Sequence, residues 1–336
     1  MTLPTRTIGP FTVSAIGLGC MNLSHAYGVP PSAEDGARLL NQALDLGYTL
    51  LDTAALYGGG ENERLIGHAV MHRRAEFTLS SKCVLDLVDG KRILDATPAA
   101  ITRTLDGALG RLGTDHIDLY YMHRLDRKVP IEESVGALVR AKEAGKIGAI
   151  GLSEMSAETI RRAHAVHPIA AVQSEYSPAV RNPEVAVLDA CAELDIALVA
   201  FSPVARGLLA GAVHDDSYAE GDIRRPMPRF VEPLLSQNLK TVADFDALAA
   251  QAGLTPAQLA LGWVLAQRPF TVPIPGTTSL AHLTENLAAA ERPLAADLVA
   301  AVDRLFPAGA LKGARYPAAM QAQIDTETLP GEELAA

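Results

Sequence analysis

Eight short apolar runs, each about one strand-plus-helix from the next until the seventh, constrain this chain more than any other feature. They are Ser14–Leu18, Thr49–Leu51, Phe77–Ser80, Ile117–Tyr121, Ala149–Leu152, Ala170–Gln173, Ala197–Ala200 and Thr271–Ile274. Runs that are continuously apolar rather than alternating mark strands buried on both faces, as in parallel sheets covered by helices. Nearly all are followed by a helical pattern, so the α/β class is expected, with the units closed into a (β/α)8 TIM barrel. An open doubly wound sheet is the competing arrangement. Against it, the first run ends in Gly17-Leu18-Gly19-Cys20 and lacks the third glycine of the phosphate-binding fingerprint.

The punctuation between the runs agrees. Thr97-Pro98, Asn182-Pro183 and Thr255-Pro256 each place a capping side chain before a proline at the first helical position, and Gln258 completes a capping box with Thr255. Helices are predicted over Ser32–Leu46, Pro98–Leu112, Ile131–Ala144, Ser156–His167, Pro183–Leu194, Pro256–Gln267 and Leu280–Ala289. Thr5–Val13, centred on Gly9-Pro10, reads as a small N-terminal β-hairpin. Between Phe201 and Thr271 lies a long excursion. Its stretch Ala205–Pro233 is rich in Gly, Pro, Asp and Arg and has no apolar period, and a loop of that length in a barrel is functional or mobile. One domain over residues 1–315 and a loosely held polar tail over 316–336 are expected.

Composition sets the outer limits. Of 336 residues 49% are hydrophobic and 20% charged, enough for a large core and incompatible with a disordered chain. The net charge of −10 makes a general nucleic-acid partner a poor fit, without excluding a local basic pocket for one phosphate. No apolar run at the N-terminus resembles a signal peptide and none is long enough for a bilayer, so a cytoplasmic location is expected. Cys20, Cys83 and Cys191 lie far apart, which reads as reduced thiols rather than a disulfide framework or a metal site.

Barrel active sites form where strands end. The polar residues just past the runs are Asp52 and, in the same loop, Tyr57; then Lys82, His123, Ser153, Gln173, Ser202 and Thr277. Asp52, Tyr57, Lys82 and His123 come from neighbouring strands and can converge. Alone, each is as readily a cap, rim packing, a solvated cation or a core histidine. Together they form a proton donor with its tuning partners. A buried ammonium beside a phenol favours the ionised phenol and should lower its pKa. Asp52 would pair with the ammonium, and His123 would donate a hydrogen bond to a substrate oxygen and aim it at Tyr57. Carbonyl reduction requires such a general acid.

With those residues in place, the sequence resembles the aldo-keto reductase superfamily from about Thr5 to Pro307. The motifs are Leu51-Asp52-Thr53-Ala54-Ala55-Leu56-Tyr57-Gly58, Ser81-Lys82, Tyr120-Tyr121-Met122-His123-Arg124, Gly151-Leu152-Ser153, Gln173-Ser174-Glu175-Tyr176 and Ile274-Pro275-Gly276-Thr277. Gln173–Pro183 and Gly221–Phe230 are similar to the bacterial and plant branch related to pyridoxal reductases and potassium-channel β-subunits. The resemblance implies a (β/α)8 barrel, bound NADPH and reduction of aldehydes or ketones, with Tyr57 as acid, Lys82 and Asp52 tuning it and His123 orienting the carbonyl. It also implies that Ser153 and Gln173 hold the nicotinamide carboxamide and that Phe201 stacks on the ring. Ser202, Pro203, Val204, Arg206 and Leu208 match the loop that crosses the pyrophosphate. Gly276, Thr277, Thr278, His282, Glu285 and Asn286 match the segment around the 2′-phosphate and adenine. This sequence departs from the pattern twice. Glu154 stands where the family usually has Asn, and the fixed Lys or Arg that many relatives place near Thr278 or His282 is missing; the Thr277, Thr278 and Ser279 hydroxyls at the start of the last predicted helix, with its free N–H groups, would attract the phosphate, and Arg224 and Arg225 from the long loop could fold over it. NADP(H) is the expected cofactor, with NADH a possible substitute.

Three functions compete on this reading: an NADPH-dependent carbonyl reductase acting on a small molecule; an NADPH-binding regulatory module like the channel β-subunits, with little turnover; and a metal-assisted barrel hydrolase. The complete set of four favours the first. The hydrolase needs clustered ligands, and only Asp52 and His123 qualify, so no metal is expected. Pocket walls are expected from Cys20, Met21, Leu56, Tyr57, Arg124 and the loop near Ser217–Phe230, with Arg124 either attracting an anionic substrate or pairing with Asp126. The sequence carries no reading of oligomeric state.

Overall fold

In the computed structural model, which describes residues 3–88 and 90–335, eight parallel strands form one sheet; seven of the apolar runs fall on them, while the first overlaps its strand only at Leu18, Ser14 belonging to the N-terminal hairpin. A hairpin comes first, β1 (Thr5–Ile8) against β2 (Phe11–Ser14), with Ile8 opposite Phe11. The barrel strands follow. They are β3 (Leu18–Gly19), β4 (Leu50–Asp52), β5 (Thr78–Cys83), β8 (Ile117–Met122), β9 (Ile147–Ser153), β10 (Ala171–Glu175), β11 (Ala197–Phe201) and β12 (Thr271–Pro273), each beside the next in that order. A second hairpin, β6 (Leu85–Val88) with β7 (Lys91–Leu94), is inserted after β5. Backbone hydrogen bonds from Gly17 N to Pro273 O (3.0 Å) and Gly19 N to Pro275 O (3.1 Å) join the first strand's edge to the last, closing the barrel.

The helices α1 (Ala33–Asp45), α2 (Glu61–Val70), α3 (Pro98–Leu112), α4 (Ile131–Glu143), α5 (Ala157–Val166), α6 (Val187–Leu194), α7 (Leu234–Gln251), α8 (Pro256–Gln267) and α9 (Leu280–Glu291) surround the sheet. The chain then adds α10 (Ala296–Leu305) and the short α11 (Ala318–Gln321). Thr97 accepts from Ala100 N at the start of α3, and Thr255 with Gln258 forms the expected capping box on α8. The Asn182-Pro183 cap does not form. Those residues make a separate 3-10 turn, α6 begins at Val187, and the Asn182 amide donates to Glu327 O and the Glu332 carboxylate instead. α2, α7, α10 and the short α11 are additions to the predicted helices.

Two apolar layers hold the barrel. The larger lies between strands and helices. The smaller fills the interior with Leu50, Leu119, Tyr121, Val199, Val272 and Ile274, and the first hairpin closes its N-terminal end with Ile8 and Val13. The Tyr121 ring crosses the interior so closely to Gly151 that a Cβ there would lie 2.3 Å from it, and only glycine fits. With its floor packed, the barrel leaves the C-terminal strand ends as the open face.

The segment after Tyr316, expected to be loosely held, is tied down. The Asp325 carboxylate accepts from Ser156 N, Ser156 Oγ and Thr159 Oγ1 at the start of α5, and Glu327 accepts from Ala157 N. The Ala205–Pro233 stretch is likewise pinned, by Ile223 N to Ala26 O (2.9 Å) and Gly28 N to the Asp222 carboxylate (2.9 Å). No described helix is long and apolar enough to cross a membrane.

Candidate active site

Asp52 ends β4, Lys82 lies near the end of β5 and His123 follows β8, so three strands deliver three side chains to one face. Tyr57 arrives on the 3-10 turn Tyr57–Gly60. That turn is anchored from α2: the fully buried Asn62 accepts from Thr53 Oγ1 (2.6 Å) and donates to Cys20 O and Ser24 Oγ. Glu63 next to it accepts from Ser81 Oγ and Arg111 Nε. Neither Asn62 nor Glu63 was picked out by the sequence reading; two polar residues opening an otherwise amphipathic stretch after three glycines are the only local trace.

The four side chains meet. Lys82 Nζ, wholly buried, donates to Asp52 Oδ1 (2.5 Å), Thr53 O (2.8 Å) and Tyr57 Oη (3.3 Å). Asp52 Oδ2 accepts from Ser80 Oγ (2.7 Å) and Gln173 Nε2 (2.9 Å), so the carboxylate is fully occupied. The Tyr57 and His123 rings meet edge to face with centroids 5.9 Å apart. Burial pulls the Lys82 ammonium down, but Asp52 and then Tyr57 outweigh it and its pKa ends above the usual value. Burial lifts the Tyr57 phenol and Lys82 pulls it back, leaving it above its usual value. The expected lowering by Lys82 is therefore present but smaller than the effect of burial, and Tyr57 keeps its proton. Burial, with the Arg124, Lys82 and Arg92 cations, holds His123 well below the usual histidine range. A neutral imidazole keeps one N–H donor, and His123 Nδ1 is buried with no partner among the described residues.

Asp52, Tyr57 and His123 stand on a cleft of about 470 Å³ that Met21, Leu56 and Arg92 also line and that reaches Thr278 at the start of α9. Ser153, Gln173, Phe201, Ser202, Pro203, Val204, Arg206, Gly276, Thr277, Thr278, His282, Glu285 and Asn286 line it. Lys82 lies behind the wall, reaching it through Tyr57. Leu208 does not line it: its apolar side chain is packed in the core. Arg225 also lies off the cleft. Arg224 lines it but is spent on the Asp222 carboxylate and stacked between the Tyr27 and Tyr218 rings. Among the described residues no three His, Cys, Asp or Glu side chains gather as metal ligands would.

Residues 15–306 match the Aldo/keto reductase family. The chain belongs to that family. It is 43% identical to the aldo-keto reductase yakc [NADP(+)] of Schizosaccharomyces pombe over 98% of this chain and 99% of that protein. Its fold is similar to the glycerol dehydrogenase of Gluconobacter oxydans (TM-score 0.82, 26% identity, the whole of both chains). It is also similar to an aldo-keto reductase from Klebsiella pneumoniae solved in complex with NADPH (TM-score 0.71, 26% identity, 91% of this chain and 96% of that one).

Two features of this aldo/keto reductase, an oxidoreductase by its family, shape the cleft wall. Glu154, in place of the usual Asn, turns away from the cleft. It adopts a left-handed backbone (φ 53°), accepts from Glu175 N (2.6 Å) and faces Arg315 at 3.7 Å. The loop after β11 is held just as firmly. Arg206 donates to Glu175 Oε2 (3.0 Å), Tyr316 Oη (2.7 Å) and Tyr27 Oη (3.2 Å), and Ser202, Ala205 and Arg206 all take positive φ. Three such non-glycine residues in one loop carry backbone strain, which collects at ligand-binding segments. Successive amides in such turns form anion-binding concavities. Beyond the loop, α9 begins at Ser279 without a side-chain cap, leaving its first amides open toward the cleft end near Thr278.

Proposed function

We propose that this aldo/keto reductase reduces an aldehyde or ketone to an alcohol with NADPH, Tyr57 acting as general acid. The observation that carries the reading is the Asp52–Lys82–Tyr57 chain with His123 beside it, its donors turned to one cleft. Phe201 on the wall offers a face to a planar ring, and Ser153 and Gln173 offer polar atoms beside it. The strained Ser202–Arg206 loop and the open N-terminus of α9 suit the pyrophosphate and 2′-phosphate. The yakc relative carries NADP(+) in its name and the Klebsiella pneumoniae structure holds NADPH, in accord with this fit. When bound, the cofactor supplies the hydride.

The chain's own residues do the rest. The neutral His123 ring presents its N–H to the carbonyl oxygen and turns it toward the Tyr57 hydroxyl. Tyr57, protonated at working pH, gives its proton to that oxygen as negative charge develops. Lys82 lies within hydrogen-bond reach of the phenol oxygen and stabilises the phenolate left behind. Asp52 keeps Lys82 charged in a place water does not reach. A regulatory module would need no such donor chain, and every member is in place here.

Tyr57→Phe keeps the ring and removes the proton. Turnover should fall by about 10²–10⁴-fold, the usual contribution of general acid catalysis, while NADPH affinity stays near that of the parent. Steady-state reduction with an aldehyde panel and a cofactor fluorescence titration check it. Parent-like turnover in the variant refutes the assignment.

A further inference from the structure

The catalytic end of the cleft holds two guanidinium groups with no counter-charge among the described residues. Arg124 follows His123 directly and is 8% exposed, yet no described carboxylate lies within 4 Å of it. The pairing with Asp126 does not form: Asp126 accepts instead from Ala96 N and Lys128 N. One terminal nitrogen of Arg124 donates to His123 O (2.6 Å) and Ser153 Oγ (3.3 Å). Its remaining N–H donors have no acceptor among the described residues. Arg92, exposed on β7 of the inserted hairpin, lines the same cleft and also forms no ion pair with a described residue. The other arginines on the cleft differ, since Arg206 is paired with Glu175 and Arg224 with Asp222. Among the described residues, the carboxylates on the cleft wall are Asp52, consumed by Lys82, Ser80 and Gln173, and Glu285, on α9.

A buried cation such as Arg124 left unpaired costs the fold heavily, and the like charge of Arg92 in the same pocket opposes it. In a chain of net charge −10 such a pocket is not a by-product of a basic surface. The missing partner is an anion that arrives from solution. Arg124 lines the same cleft as His123 and Tyr57, so the anion sits near the carbonyl that they address. The planar fork of a guanidinium matches a carboxylate, taking two parallel hydrogen bonds.

We infer that the substrates of this reductase are short aldehydes or ketones carrying a carboxylate, gripped by Arg124 and Arg92 while Tyr57 and His123 hold the carbonyl. The inference rests on the carbonyl-reductase reading and narrows it to one substrate class. Met21 and Leu56 line the cleft beside these groups and favour a short, apolar linker.

The test compares 4-oxobutanoate with its methyl ester, which keeps the aldehyde and removes the charge, each reduced with NADPH by the parent, Arg92→Gln, Arg124→Gln and Arg124→Lys. The parent should favour the carboxylate in kcat/KM by about 10–100-fold, the size of one or two charge-assisted hydrogen bonds. Both glutamine variants should collapse that ratio toward one, mainly through KM, and Arg124→Lys should restore part of it. Added salt should raise KM for the carboxylate and not for the ester. Arg92 is on the exposed hairpin, so its variant answers even if Arg124→Gln fails to fold. A parent ratio near one, or a ratio unmoved by Arg92→Gln, overturns the inference and leaves the reductase reading intact. Reduction of neither compound, nor of simple aldehydes, removes that reading itself. Glyceraldehyde 3-phosphate against glyceraldehyde forms a second arm; a larger discrimination there than for the carboxylate pair overturns the carboxylate assignment in favour of a phosphate.

Discussion

Lys82 carries its charge where no water reaches it, and what surrounds it determines what Tyr57 can do. The ammonium opposes the upward push of burial on the phenol. Replacing it with the similarly long Met removes that opposition, so the phenol pKa rises further and the acid weakens. Reduction requires the protonated phenol, and its rate falls as pH passes the phenol's pKa. Lys82→Met should therefore lower turnover at neutral pH and move the alkaline fall to higher pH. A pH–rate profile of unchanged height and position would reduce Lys82 to a structural role. Asp52 bears on stability. With Asp52→Asn the buried ammonium loses its carboxylate, and breaking such a pair costs about 3–5 kcal/mol. Because the Lys82 pKa is raised on folding, its contribution is full below the unfolded value of about 10.4 and is lost as pH rises through the folded one. The deficit of Asp52→Asn in denaturant unfolding should thus be complete at pH 7; an unfolding midpoint equal to the parent's there would contradict it.

At the scale of elements, α5 shows how the last residues of the chain complete the barrel. Ser156 caps that helix, and Asp325 braces the cap through three hydrogen bonds. Burial would raise the Asp325 pKa, but the bonds from Ser156 and Thr159 and the Arg127 charge lower it overall. Its stabilisation is accordingly present above the ordinary aspartate value of about 3.9 and is lost as pH falls through the lower folded value. Asp325→Ala should cost about 1–2 kcal/mol at pH 7, the worth of a helix cap, with the gap to the parent closing in acid. Urea unfolding at both pH values measures it, and an equal midpoint at pH 7 would show the brace to be idle. Nothing local in the sequence announces this contact, because its partners are 166 to 169 residues apart. The barrel strands were legible for the opposite reason: burial on both faces writes itself into each run independently, and strand ends then locate Asp52, Lys82 and His123. Where the reading failed, competing local signals were at work. The hairpin of β6 and β7, and Arg92 with it, was announced by alternation in Leu85-Asp86-Leu87-Val88 before Asp89-Gly90, but its strands are exposed and lack a continuous apolar run. α2 was obscured by the three glycines before it, and α7 by the irregular stretch that leads into it. Asn182 lost its capping role to carboxylate and carbonyl partners on the distant tail.

For the whole molecule, cofactor binding and unfolding are linked, since a ligand that binds only the folded barrel raises its stability by RT ln(1 + [L]/Kd). On the proposed function, NADPH and NADH differ only in a 2′-phosphate at the cleft end where α9 begins. No described Lys or Arg side chain lines that end near Thr278, which is exposed. The phosphate would be met by the uncapped amides of α9, the Thr277 and Thr278 hydroxyls and His282, whose Nδ1 is 3.3 Å from Thr277 Oγ1 and whose Nε2 is 4.0 Å from the Glu285 carboxylate. That carboxylate opposes a second negative charge, and an exposed helix dipole contributes only about 0.3–1 kcal/mol. The preference for NADPH should therefore be real but modest. At a concentration 100 times its Kd, NADPH gains about 2.7 kcal/mol, a rise in Tm on the order of 5 °C for a chain of this size; NADH at the same concentration should raise Tm by less. Thr278→Arg adds a fixed cation to the opening of α9, and a charge-assisted hydrogen bond is roughly twice as strong as a neutral one. The variant should widen the gap between the two cofactors by about tenfold in affinity, with NADH binding unchanged. Thermal unfolding with each cofactor across a concentration series gives both numbers. Equal shifts for NADPH and NADH in the parent, or a Thr278→Arg variant that strengthens both alike, would move the 2′-phosphate away from the start of α9.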